Sequence, residues 1–341
     1  MDLKLLEKLC EINGIPGDEG DVVSFIVSEI EGHCESWQVD PLGSLIVFKK
    51  GKETPAKRLL FSAHMDEVGL MVSYITDEGL LKVVQAGGID DRVILGRQVQ
   101  VGKARIPGVI GTKAVHQQTD EERGTAVKTA KMFIDIGCTS REEAEALVEI
   151  GDPVCFVSDF EMLGKNRIKG KALDDRFGCA VMIEMIKKDL PYDCWFCFTS
   201  QEEVGLKGAW TAGHIVDPDI AVIIETTTPG DLPGVSAPDD CCRLGKGAVV
   251  PFMDRATIYP KALYKWAHAL AKERGIMTQT KTLVAGGNDA GAYQKVRGGA
   301  ACLNISAACR CLHSATVIAD LNDIDAVEKL ALAVAEEFVN F

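Results

Sequence analysis

No apolar run in the 341-residue chain approaches the ~18 residues that would suggest a membrane span. The opening MDLKLLEKLCEINGIPG mixes charges at helical spacing and lacks the unbroken apolar stretch and small-residue cleavage site of an export signal. Positive charge is also scarce. Against 50 Asp plus Glu stand 37 Lys plus Arg, and the resulting net charge of −13 repels phosphate backbones and anionic lipid surfaces. Nucleic acid and membrane are therefore poor partners, and a soluble cytoplasmic protein is expected. Missing as well are H-E-x-x-H, G-x-S-x-G, the P-loop and a strand-linked G-x-G-x-x-G, so thermolysin-type, serine-hydrolase and nucleotide chemistries lose their usual signatures.

What the chain does have is material for a core. Its length suits about two domains, and a hydrophobic content of 47% argues against disorder and against a small disulfide-stapled scaffold. The 12 cysteines are scattered and accompany no export signal, so most read as reduced core residues. Cys194 and Cys197 imitate a redox pair, yet the run CWFCFTS reads as a buried strand with no following helix start to lower a thiol pKa. Cys309 and Cys311 lie near a histidine and have the chemistry of soft metal ligands.

Periodicity gives an α/β outline. LKLLEKLCEI and VVSFIVSEIEG read as helices and RLLFSA as a buried strand. From about Val72 to Phe160 short β-like runs broken by glycine take over, with one helix introduced by Ser140-Arg-Glu-Glu143. After Lys171 the α/β texture resumes with the helix FGCAVMIEMIKK, strands in WFCFTS, DIAVIIE and AACLNIS, and a helix between Pro260 and Gly275. Residues 1–71 and 164–341 are thus expected to form one domain, interrupted by a β-rich insertion at 72–163.

The unusual polar residues follow these strands. His64 and Asp66 come after RLLFSA, Glu202 and Glu203 after WFCFTS, Glu225 after DIAVII, and His313 a short way after AACLNIS. Carboxyl ends of strands are where open α/β sheets bind ligands. Asp174 and Asp175 open a helix, where both read as caps or dipole partners; Asp175 fits the cap, which leaves Asp174 free to point elsewhere. Glu202 and Glu203 point to opposite faces, one of them inward, or else both are solvated. Neighbours on a strand end are poorly placed for a glycosidase pair, which needs carboxyls about 5 to 9.5 Å apart across one bond. His64 with Asp66 is a capped loop, or a metal ligand whose tautomer a carboxylate fixes. His33, His116, His214 and His268 have no acidic pair beside them and read as surface or packing residues. Two histidines with several carboxylates suit Zn²⁺, Co²⁺ or Mn²⁺. One shared carboxylate could bridge two such ions, the arrangement that acidifies water and clamps the oxygens of a tetrahedral intermediate in amide hydrolysis. A carboxylate left over would serve as general base.

Ordered blocks along nearly the whole chain resemble the tetrahedral (TET) aminopeptidase family: Ser62-Ala-His64-Met-Asp66-Glu-Val-Gly69, Gly108-Val-Ile-Gly111, Phe133-Ile-Asp-Ile-Gly137, Ser140-Arg-Glu-Glu-Ala144, Lys171-Ala-Leu-Asp-Asp-Arg176, Gln201-Glu-Glu-Val-Gly205, Gly286-Gly-Asn-Asp-Ala-Gly291 and His313-Ser314. The resemblance implies that Asp174 bridges two metals, that His64 and Glu225 complete one site, and that Glu203 and His313 complete the other. Glu202 would be the base and Asp66 the residue that orients His64. Glu225 stands where the family usually has Asp, and the segment AACRCLHS carries more thiols than is usual; with the ligand set complete without them, Cys309 and Cys311 read as packing. The resemblance further implies a mixed central sheet flanked by helices, a PDZ-like oligomerisation domain in the insertion, and a hollow dodecamer built from dimers. It also implies two divalent ions per subunit, zinc or cobalt, and peptide substrates, with GGNDAG a candidate substrate loop. Rival readings are a two-metal deacylase or carboxypeptidase, which calls for a Lys or Arg reaching the pocket, a polysaccharide hydrolase, and a non-catalytic assembly protein.

Overall fold

A computed structural model describes residues 1–236 and 239–341. Eleven of its strands form one mixed sheet, in which four run parallel side by side: Cys194–Thr199, Leu59–His64, Ile220–Thr227 and Ala301–Arg310. Every residue of Leu59–His64 and of Ile220–Thr227 is buried, as expected for parallel strands covered on both faces. Alternation assigns their side chains to two cores. Leu59, Phe61, Ile220, Val222 and Ile224 pack with the helices Leu3–Glu11, Leu173–Ile186 and Leu321–Glu337. Leu60, Ala221 and Ile223 pack on the opposite face with Lys207–Val216 and Ala290–Tyr293. The same alternation separates Cys194 from Cys197, which lie in different cores, so this spacing is packing and not a redox pair.

Helix Leu173–Ile186 lies directly on strand Leu59–His64. A Cβ on Gly178 would stand 2.9 Å from the Ala63 Cβ, a close approach that only glycine permits. At the start of this helix the structure corrects one expectation. Asp175 is not a cap, because its fully buried carboxylate meets no hydrogen-bond donor among the described residues. The residue preceding the helix is Ala172, with φ of 54°. Asp174 and Asp175 have non-helical backbone angles, which turns both side chains inward. Next to them, fully buried Arg176 pairs with no carboxylate among the described residues. It donates instead to the carbonyls of Met65 (2.6 Å), Ile12 (3.0 Å), Gly14 (3.4 Å) and Leu9, binding the N-terminal helix to the loop after His64.

Six further strands, Gly69–Ile75, Leu81–Ala86, Phe133–Asp135, Ile106–Gly111, Gln98–Val101 and Pro153–Phe156, close into a barrel. Its interior is apolar, filled by residues such as Leu70, Leu81, Val99, Ile110, Ile134 and Val154. Strand Glu161–Leu163 pairs with Arg167–Gly170 in the large sheet. No helix among the described residues is long and apolar enough to cross a membrane.

Candidate active site

Strand register sets the site. Thr199 lies opposite His64 and Glu225 opposite Ser306, at the carboxyl ends of the parallel strands, and the chain leaving each strand carries the next polar residue into the same space. The six positions His64, Asp174, Glu202, Glu203, Glu225 and His313 line one cavity of about 530 Å³. Asp66 stands behind them.

Asp174 is the hinge of the arrangement. Its Oδ1 lies 3.4 Å from His64 Nε2, and its Oδ2 lies 3.7 Å from His313 Nε2. Glu225 Oε1 approaches the same His64 nitrogen at 3.7 Å, and Glu203 Oε2 the same His313 nitrogen at 3.6 Å. Two sets therefore share one carboxylate: His64, Asp174 and Glu225, and Asp174, Glu203 and His313. In each, ligand atoms lie within 4.8 Å of one another. Glu202 forms a third grouping with His64 and Glu203. Such a donor set, all nitrogen and oxygen, fits borderline divalent ions. Electrostatics points the same way. Burial pushes the Glu202 and Glu203 carboxyls well above the usual range, and the charges of Glu225 against the first and Asp174 against the second add to the rise. Asp174 is held down at about 2: burial opposes its ionisation, but the His64 hydrogen bond and the charges of both histidines outweigh it.

Both imidazoles present Nε2 to the acids because Nδ1 is engaged elsewhere. His64 Nδ1 bonds the backbone carbonyl of Asp66 at 2.9 Å, and His313 Nδ1 bonds the Gly88 carbonyl, from the loop that follows barrel strand Leu81–Ala86, at 2.8 Å. A ring N–H given to a carbonyl fixes the tautomer. The Asp66 carboxylate lies 3.6 Å from the His64 ring, and its two oxygens instead accept the backbone amides of Glu202 and Glu203, each at 3.0 Å. Asp66 thus meets His64 through its main chain and holds the two glutamates through its side chain.

Thr226, Glu19 and Lys281, not singled out from sequence, contribute. Thr226 Oγ1 donates to Asp174 Oδ1 at 2.7 Å. Glu19 accepts the Gln201 amide at 3.0 Å, one residue before Glu202. In the GGNDAG segment, Gly286, Gly287 and Asn288 line the cavity, whereas Asp289 turns beneath it and accepts from Thr199 (2.6 Å) and Ser62 (3.3 Å). Lys281 also lines the cavity. Cys309 is buried, as a packing residue should be, but Cys311 is exposed with φ of 61°. The tight turn leading to His313 lifts it out of the core, which corrects its reading as packing.

A family model described as M42 glutamyl aminopeptidase matches residues 43–330. A relative from Acetivibrio thermocellus described as an aminopeptidase is 39% identical, over 96% of this chain and 96% of its own. A lysyl aminopeptidase from Pyrococcus furiosus is 31% identical over 99% of this chain and 97% of its own. Among solved structures, a Pyrococcus horikoshii TET1 peptidase described as assembling into a tetrahedron or a large octahedral shell superposes with a TM-score of 0.86. It is 35% identical and covers 98% of this chain and 99% of its own.

Proposed function

The chain belongs to the M42 glutamyl aminopeptidase family and is a peptide hydrolase of the aminopeptidase kind, and we propose that it works with two divalent ions, zinc or cobalt. His64, Asp174 and Glu225 would hold one ion, and Asp174, Glu203 and His313 the other. The observation that carries this reading is that each oxygen of the Asp174 carboxylate faces a different histidine. A pair of ions held there would polarise the scissile carbonyl and acidify water.

The chain's own residues do the rest. Glu202 takes a proton from the attacking water and passes it to the leaving amine. Asp66 fixes the backbone of Glu202 and Glu203, so base and ligand keep their spacing. The Gly88 carbonyl holds the His313 ring in the orientation that presents Nε2. Gly286, Gly287 and Asn288 form a wall of the cavity that would border a bound peptide. The N-terminal residue that this enzyme prefers is left open by kinship, since a family model described as glutamyl and a relative described as lysyl both match it.

The same proposal covers the organisation of the molecule. The two ends of the chain form the catalytic domain, and the insertion expected at 72–163 is a PDZ-like module through which subunits assemble into a dodecamer; the barrel itself runs from Gly69 to Phe156, and Glu161–Leu163 belongs to the large sheet. The closed barrel and the likeness to an assembling peptidase support that division. A cytoplasmic setting goes with it, on the strength of cysteines used as core-filling side chains.

Glu202→Gln tests the reading. The variant should keep both ions by elemental analysis while turnover of amino-acid anilides falls by about 10³-fold. Near-normal hydrolysis would reject Glu202 as the base, and a purified protein with no bound ions at full activity would reject the metal assignment.

A further inference from the structure

Glu202 stands on a turn that its own sequence does not favour. Gln201, one residue earlier, has φ of 54° and Leu206, which closes the turn, has φ of 57°. Both lie in the left-handed region that a residue with a Cβ resists, and such backbone persists only where its surroundings hold it. On the far side the hold is ordinary. The Glu202 carbonyl accepts the amides of Gly205 and Leu206, each at 2.9 Å, and the Gln201 carbonyl accepts that of Lys207 at 3.3 Å. On the near side the three successive amides of Gln201, Glu202 and Glu203 all donate to carboxylates. Asp66 takes the second and third, and the first, at the strained residue, goes to Glu19 Oε1 at 3.0 Å.

Glu19 is a costly choice of acceptor. It is buried, at 4% exposure, and the charge of Asp66 opposes its own; a carboxylate placed so loses free energy that a carbonyl would not. What it adds is a strong bond to an N–H from a fixed point. The point is fixed because Oε1 also accepts the Gly17 amide at 2.9 Å, which holds the side chain over its own loop. That loop is bolted to the one carrying Asp66: the Glu67 amide donates to the Gly14 carbonyl at 2.9 Å, and the Gly14 amide to Glu67 Oε1 at 3.3 Å. Glu19 and Asp66 thus belong to one frame, and the turn of Glu202 hangs from both. Glu19 does not line the cavity, so the turn is its only route to the reaction.

We infer that Glu19 is a positioning residue for catalysis: by gripping the Gln201 amide it keeps the left-handed turn in place and holds Glu202 within reach of the water it deprotonates. The inference rests on the aminopeptidase reading with Glu202 as base. Asp66 alone fixes the amides of Glu202 and Glu203 but leaves Gln201 free to relax toward ordinary backbone angles, which would swing the base while the ligand Glu203 stays. A purely structural Glu19, anchoring the helix Gly20–Ile30 that it precedes, would change stability and leave the rate per folded molecule alone.

The test measures kcat and KM on a panel of amino-acid p-nitroanilides for ion-loaded full-length wild type, Glu19→Ala, Glu19→Asp and Glu19→Gln, each also combined with Glu202→Gln, with ion content by elemental analysis alongside. Glu19→Ala should lose about 10²-fold in kcat, with KM little changed and the ions retained. Glu19→Asp keeps the charge but falls one methylene short, and should be nearly as slow. Glu19→Gln keeps length and acceptor, and should recover most of the rate. The combined variants supply the reading that helix anchoring would not move: once Glu202→Gln is present, Glu19→Ala should cost nothing further in kcat, because the group it positions is gone. Wild-type kcat in Glu19→Ala overturns the inference, as does an equal loss in both backgrounds. If Glu19→Ala does not fold, the other two decide, since a fast Glu19→Asp with a slow Glu19→Gln would assign the effect to charge and overturn positioning. Full activity in Glu202→Gln would overturn the base assignment instead, and an ion-loaded wild type that turns over no anilide would overturn the aminopeptidase reading.

Discussion

The end of the large sheet and the interior of the barrel bury comparable care in opposite materials. The barrel is filled by Leu70, Leu81, Val99, Ile110 and Ile134, and its stability rests on volume. The sheet end buries His64, Asp66, Asp174, Asp175, Arg176, Glu225 and Asp289, and its stability rests on whether each polar atom finds a partner. Burying charge costs free energy unless it is paired or hydrogen-bonded. A region that keeps so many buried acids close together is therefore organised for something other than stability, and the barrel shows what the same chain does where that demand is absent.

Substitutions in the two regions should fail in different ways. Arg176→Met is expected to have the largest effect, because the buried carbonyls of Met65 and Leu9 lose their donor while those of Ile12 and Gly14 keep only Lys171 and the Glu67 amide; unfolding free energy should fall by about 3–5 kcal/mol, measured by urea denaturation. If the loss is under about 1 kcal/mol, water replaces the guanidinium and the contrast weakens. In the barrel, Ile134→Ala removes a fully buried side chain and should cost about 3 kcal/mol while ion content per subunit stays at the wild-type value. A change in ion stoichiometry would mean that the two regions are coupled more tightly than the Gly88 contact implies.

A smaller effect depends on pH. Burial, aided by the charge of Asp66, raises the Glu19 carboxyl from 4.5 to about 7. The folded state thus holds this proton where the unfolded chain releases it. The contribution is complete below about pH 4.5 and is lost as pH rises to about 7. Glu19→Gln, which keeps the acceptor for the Gln201 amide, should flatten that part of the curve of Tm against pH, a difference on the order of 3 kcal/mol across the window. An unchanged slope would assign the pH dependence to other acids.

The same contrast explains what could be read from sequence. RLLFSA, WFCFTS, DIAVII and AACLNIS announce themselves because strands buried on both faces are continuous apolar runs, and the polar residues that follow them do gather in one cavity. Pro260 and Gly275 bracket the helix Lys261–Glu273, with Gly275 at φ of 66°. Lys281 was illegible for a physical reason. Its strand, Thr278–Lys281, is polar and only half-buried, so no periodicity marks it, and it joins the sheet by pairing with Ala248–Pro251. Glu19 was equally hidden, since its partner is a main-chain amide 182 residues away. Asp175 misled because a carboxylate at a helix start is usually a cap, and here the non-helical backbone of Asp174 and Asp175, after Ala172 at φ of 54°, carries it inward.

The carbonyl that Gly88 offers to His313 spans 225 residues of sequence. A ribosome delivers the chain from its N-terminus, so the barrel, Asp174 and both glutamates emerge well before the imidazole that completes their set. A half-synthesised copy would carry most of a hydrolytic apparatus in inert form. Peptide-cutting ability would arrive only with the final helix-bearing stretch.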